Sequence, residues 1–179
     1  HPRAVVAPDR APKLITSLSA KADLIAGLGV EELVVIPFDG AFAAQTAQAF
    51  IDDVLVARLD ARKVSVGENF RFGHKALGDT ELLRVQRTFE TRVVELVQGD
   101  GEVISSSRIR SLIEAGEIEA ANACLGSPFQ LRGPVAHGDK RGRTLGFPTA
   151  NLVPDPGLVY PAHGVYACRA AVAVDGAWQ

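Results

Sequence analysis

The sequence predicts an α/β fold: an open doubly wound parallel sheet, followed by the start of a small antiparallel β-barrel. Three observations carry this. Strand-like and helix-like stretches alternate as far as Leu125, the order of a sheet built from crossover units. Residues 32–37 are nearly all apolar, the pattern of a strand buried on both faces. Past Gly126-Ser127-Pro128 the helical periodicity vanishes, and Gly and Pro separate short apolar stretches, as in small all-β units.

The elements follow in order. Ala4-Val5-Val6-Ala7 is a short apolar stretch that Pro8 and Pro12 interrupt. A helix comes next, capped by Thr16 or Ser17, carrying Ala22, Leu24, Ile25 and Leu28, and ended by Gly29. After the strand over 32–37, residues 46–59 place Phe50, Val54 and Leu55 at helical spacing, which suits a crossover helix. Lys63-Val64-Ser65-Val66 is the next strand, and Gly67 ends it. A helix over 81–89, a strand over 92–97 and helices over 106–115 and 118–125 complete the alternation, with right-handed crossovers expected. From Phe129 the texture is that of a small antiparallel barrel or sandwich. Residues 164–172 are strand-like, and Asp175-Gly176 suits a tight hairpin turn. The domains are accordingly read as 1–126 and 127–179.

Composition excludes several classes. With 47% hydrophobic residues in 179, the chain has material for a sizeable core and is not disordered. Lys+Arg number 19 against 21 Asp+Glu, a net charge of −2, which argues against a nucleic-acid coat. No apolar run approaches a membrane span. Cys124 and Cys168 stand alone and read as small hydrophobes of a reducing, cytoplasmic setting. The chain begins with His1 and contains no Met. It therefore reads as an internal piece of a longer polypeptide, with catalytic residues expected outside it.

Three segments carry candidate chemistry. Gly67-Glu68-Asn69-Phe70-Arg71-Phe72-Gly73 follows a strand, and open α/β sheets bind ligands beyond the carboxyl ends of their strands. Asn69 offers donor and acceptor, Arg71 a cationic fork, and Phe70 and Phe72 either walls for a ring or plugs for the core. Ile104-Ser105-Ser106-Ser107-Arg108-Ile109-Arg110 opens a helix. Free N–H groups there favour anions, and Arg110 lies one turn in, able to clamp a phosphate. The plainer reading is ordinary capping and a solvated arginine.

The third segment runs over 138–152. Lys140, Arg141 and Arg143 stand beside Gly138 and Gly142, a composition able to cradle a polyphosphate through backbone N–H groups. Thr149 and Asn151 share one face of an extended segment, and their oxygens suit a hydrated Mg²⁺. A solvated basic loop is the plainer reading. No Walker A pattern occurs. Asp52 and Asp53 adjoin on a helix and face different ways, so they form no carboxylate dyad.

Together and in this order, these segments resemble the bacterial bifunctional riboflavin kinase/FMN adenylyltransferases, or bifunctional FAD synthetases. His1-Pro2-Arg3 resembles the end of the family's Phe-Asp-Pro-His-Pro segment, residues 67–73 its G-x-[DN]-F-R-F-G loop, and residues 104–110 its I-S-S-T-x-x-R motif, with Ser107 in place of the usual Thr. Residues 138–152 resemble its G-x-x-x-G-R-x-L-G-[FIY]-P-T-A-N kinase segment. The resemblance implies a nucleotidyltransferase-like domain that adenylylates FMN with ATP to give FAD and pyrophosphate, then the start of a kinase barrel that phosphorylates riboflavin.

Matched by position, Asn69 and Arg71 would line the adenylylation site, and Ser106, Ser107 and Arg110 would hold ATP phosphates. Gly138, Gly142 and Arg143 would meet the kinase nucleotide, with Thr149 and Asn151 on Mg²⁺. The family's His-x-Gly-His motif and the kinase's general-base Glu have no counterpart in these residues. The 179 residues alone are therefore expected to be inactive, and FAD formation from FMN and Mg-ATP by this chain would contradict that. Partners are expected to be small molecules, without nucleic acid or membrane, and self-association is left open. Rival readings are an adenylyltransferase with another phosphate acceptor and a barrel that grips RNA.

Overall fold

The computed structural model describes residues 2–138, 142, 145–147, 149–174 and 177–178. His1, Arg143 and the Asp175-Gly176 turn expected from the sequence lie outside the described residues. The chain is α/β, with a small parallel sheet and small antiparallel pairs.

The apolar stretch near the start forms helix α1 (Arg3–Val6), which Pro8 follows with one 3₁₀ turn. Helix α2 (Leu18–Gly27) begins where the sequence says it should: the Ser17 hydroxyl accepts the Ala20 N–H at 3.2 Å, satisfying one of the orphan donors of a helix start. Helix α3 (Gly40–Ala44) is capped in the same way by Asp39. Helix α4 (Ala47–Ala49), capped by Thr46, continues as a π-helical stretch over Phe50–Val56. The spacing of Phe50, Val54 and Leu55 fits that wider turn, and Ile51 and Val54 are its buried residues.

Strand β1 (Lys63–Gly67) comes next, then the five-residue helix α5 (Thr80–Arg84) and strand β2 (Glu90–Val94). The two strands pair in parallel, Lys63 opposite Glu90 through Gly67 opposite Val94. The helix expected over 81–89 stops at Arg84 because side chains take over its last carbonyls: Gln86 Nε2 donates to Leu82 O and Thr91 Oγ1 to Leu83 O. Strands β3 (Gln98–Gly99) and β4 (Glu102–Val103) form a short hairpin. Helices α6 (Ser106–Ala115) and α7 (Ile118–Leu125) match the sequence reading.

Two apolar clusters hold this together. Ile51, Phe72, Leu83 and Phe89 fill one, between the π-helical stretch, the loop after β1 and α5. Ile109, Ile113, Ala121 and Val159 fill the other, between α6, α7 and a returning segment. That return is fixed by backbone bonds: Leu14 N–H donates to Gly157 O, and Val159 N–H donates to Leu14 O, both at 2.8 Å.

Two expected strands are corrected. Residues 32–37 form no ladder, and Val34 and Val35 are about half exposed. An apolar run states a demand for burial, but a strand also needs a neighbour for its N–H and C=O groups, and the described parallel ladder is β1–β2 alone. Residues 164–172 are likewise exposed and unpaired in any ladder, with Val165 fully exposed. The strand expected over 92–97 lies earlier, at Glu90–Val94. In the second half, β5 (Val135–Ala136) pairs antiparallel with β6 (Asn151–Leu152), and β7 (Ala173–Val174) with β8 (Ala177–Trp178).

Candidate anion-binding site

The loop after β1 is built around a buried phenylalanine. Phe72 is 8% exposed and stacks on Phe70, ring centroids 5.4 Å apart. Of the two roles open from sequence, both rings take that of core plug: Phe72 belongs to the first cluster and Phe70 packs against it. Gly73 follows with φ at +71°, and a Cβ there would stand 2.5 Å from the Ala47 backbone. A side chain is excluded twice over, by conformation and by space. Asn69 and Arg71 point outward, both exposed. Arg71 Nη1 donates to Asp79 Oδ2 at 3.2 Å, while Asp79 Oδ1 caps α5 by accepting the Leu82 N–H at 3.0 Å.

Helix α6 starts with Ser105 as its cap, its hydroxyl accepting the Arg108 N–H at 3.2 Å. Ser106 and Ser107 are therefore left exposed in the first turn. The two arginines of that turn go different ways. Arg108 reaches back to the β3–β4 hairpin, Nε to Glu102 Oε2 at 3.0 Å and Nη1 to Gly99 O at 3.0 Å. Arg110 reaches Ser107 Oγ only at 3.5 Å, and its Nε is buried with no hydrogen-bond partner among the described residues. A buried unpaired guanidinium N–H is costly unless a ligand supplies the acceptor.

Both β1 and β2 point their carboxyl ends toward the same side, being parallel. Glu68 N–H donates to Val94 O at 2.9 Å, and the Glu68 carboxylate accepts the Leu96 N–H at 3.3 Å. Ile104 N–H donates to Val97 O at 2.9 Å, one residue before the cap of α6. Asn69 and Arg71 follow the carboxyl end of β1, whereas Ser106, Ser107 and Arg110 lie in α6, which packs against a separate apolar cluster.

The 138–151 segment is closed at its base by β5–β6, Ala136 opposite Asn151. Gly138 and Gly142 serve as close-approach points. A Cβ on Gly138 would collide with the Asn151 side-chain amide, and one on Gly142 with the Phe147 carbonyl and, at 3.3 Å, with Thr149 Cγ2. Phe147 N–H also donates to Gly142 O at 2.8 Å. Thr149 and Asn151 are exposed residues.

Sequence reasoning missed two features. Phe38, Phe42, Phe50 and Gly73, with Ala43 and Gln45, line a small open cleft beside the first loop. Its rings run in edge contacts, Phe38 to Phe42 at 5.6 Å and Phe42 to Phe50 at 6.2 Å. The signal was present as a phenylalanine pair four residues apart around a capping Asp39. The second missed feature is Asp79. Asp52 and Asp53, by contrast, take separate partners, Gln48 and Gln45, as their spacing implied.

A family model described as FAD synthetase matches residues 1–108, and one described as riboflavin kinase matches residues 125–179. The chain belongs to the FAD synthetase family. It is 40% identical over 172 residues to the bifunctional riboflavin kinase/FMN adenylyltransferase of Listeria monocytogenes, covering 94% of this chain and 54% of that protein. The Escherichia coli protein of the same name is 40% identical over 170 residues, covering 93% and 54%. The chain thus spans about half the length of these curated relatives. A crystal structure described as a macrolide-efflux protein from Streptococcus pneumoniae superposes with a TM-score of 0.77 at 36% identity, over 85% of this chain and 49% of that one. Among the described residues of this FAD synthetase family member, no helix is long and apolar enough to cross a membrane.

Proposed function

We propose that the protein makes flavin nucleotides: residues 1–126 adenylylate FMN with ATP, releasing pyrophosphate, and residues 127–179 begin a barrel that phosphorylates riboflavin. In this reading the first region belongs to a doubly wound, nucleotidyltransferase-like sheet. One observation carries it. A serine-capped helix start with Ser106 and Ser107 exposed in its first turn also carries Arg110, whose buried Nε has no hydrogen-bond partner among the described residues, the electrostatics of an anion site.

In adenylylation an FMN phosphate oxygen attacks the α-phosphorus of ATP, and the bond to the β-phosphate breaks. Transfer of this kind needs positioning and charge neutralisation more than covalent help. Ser106, Ser107 and Arg110 would hold the triphosphate, with Asn69 and Arg71 across from them.

In the kinase segment, Gly138, Gly142 and Arg143 would meet the nucleotide phosphates. Thr149 and Asn151 would hold Mg²⁺: both are exposed residues with neutral side-chain oxygens, and the Asn151 amide packs where a Cβ on Gly138 would stand. When bound, the ion would neutralise charge on the transferring phosphate. A reducing, cytoplasmic setting stays part of this proposal, on the reading of Cys124 and Cys168 as small hydrophobes.

The test is to give the intact protein riboflavin and Mg-ATP and follow the flavins by chromatography. The expected result is FMN, then FAD, with pyrophosphate released in step with FAD. Binding of a single-stranded oligonucleotide without any nucleotide binding would overturn the reading in favour of an RNA-gripping barrel.

A further inference from the structure

Arg71 and Asp79 face each other across a rigid backbone bridge. Phe72 and Gly78 exchange both N–H···O bonds, at 3.1 and 2.9 Å, and Arg71 and Asp79 flank that pair on opposite strands. The bridge cannot drift: Phe72 sits in the core, and Gly78 packs so tightly that a Cβ would stand 2.7 Å from Ala47 Cβ. On its other side Asp79 is anchored by α5, whose Leu83 is fully buried. Its two oxygens are divided between tasks, one capping α5 and one accepting from Arg71.

Arg71 is thus held at one nitrogen while its side chain remains 59% exposed. A guanidinium carries five N–H donors in a fixed fork. Gripping one of them pre-orients the rest at little entropic cost when a ligand arrives.

We infer that Asp79 is a positioning residue for adenylylation: it holds the Arg71 fork so that its remaining N–H groups meet a phosphoryl oxygen, of the flavin monophosphate or of the nucleotide. This rests on the reading of residues 1–126 as an adenylyltransferase. A cap alone needs a single acceptor, which Asn or Ser also supplies. Holding Arg71 needs the second carboxylate oxygen, which neither supplies.

The experiment compares Asp79→Asn, Asp79→Ser, Arg71→Gln and the Asp79→Asn/Arg71→Gln double variant in the intact protein. The KM for FMN, the KM for ATP and kcat are measured in adenylylation, and riboflavin phosphorylation serves as the folding control. Both Asp79 variants are expected to raise the KM of the ligand whose phosphate Arg71 meets, by about two- to fivefold, the scale of a partly exposed charge pair. Whichever KM moves identifies that ligand. In the Arg71→Gln background, Asp79→Asn should add nothing. Wild-type KM values in Asp79→Ser would make Asp79 a cap only and overturn the inference, as would tighter binding in either variant. If the wild-type protein makes no FAD at all, both this inference and the adenylyltransferase reading fall.

Discussion

Helix α6 presents its first turn from a packed cluster, with Ile109 and Ile113 buried beneath it, whereas Gly138 and Asn151 adjoin a four-residue ladder with exposed side chains. In the first region the geometry is imposed by hydrogen bonds and packing: a serine cap, an arginine turned back onto a hairpin, a carboxylate holding a fork. In the second it is imposed by what is missing, since Gly138 and Gly142 let backbone and side chain approach where any Cβ would collide. Positioning by packing should fail through loss of stability. Positioning by absence should fail through loss of binding while the rest of the fold persists.

Substitutions sharpen that contrast, beginning with the largest effect. Leu83→Ala empties the fully buried centre of the first cluster, so it should cost about 2–5 kcal/mol of stability in a denaturant titration. A cost below about 0.5 kcal/mol would break the distinction. Gly138→Ala should displace the Asn151 amide and weaken riboflavin phosphorylation about tenfold in kcat/KM, leaving the thermal midpoint nearly unmoved. Ser105→Ala removes the α6 cap and should cost about 1 kcal/mol, with Ser105→Asp restoring it. The smallest effect is expected for Arg108→Gln, which unties a partly exposed pair to Glu102 and should lower stability by about 0.5–1 kcal/mol, with a smaller effect on ATP binding than Arg110→Ala.

Much of the first region was legible because its signals are local. Ser17 before an apolar periodicity, Gly29 after it, and a serine run before Ile109 and Ile113 specify helix ends through their own backbone chemistry. Strand β1 was legible for the same reason, bounded by Gly67. The stretches over 32–37 and 164–172 were not, because burial of an apolar run depends on a partner that the run itself does not encode. Phe70 and Phe72 could have been ligand walls or core plugs, and only the packing of Leu83 and Ile51 around Phe72 decides between them. Arg108 and Arg110 look alike in sequence. What separates their roles is the β3–β4 hairpin, folded back far enough to take one of them.

The most direct test of the two proposed anion-binding regions is calorimetric titration of Mg-ATP into the intact protein, its Arg110→Ala variant and its Thr149→Val/Asn151→Ala variant. The wild type should bind two equivalents of nucleotide. Arg110→Ala should weaken one of them by about tenfold or more, as expected for loss of a charged hydrogen-bonding group, and the double variant should weaken the other. Two equivalents bound with unchanged affinity in Arg110→Ala would contradict the assignment of the α6 start as a triphosphate site.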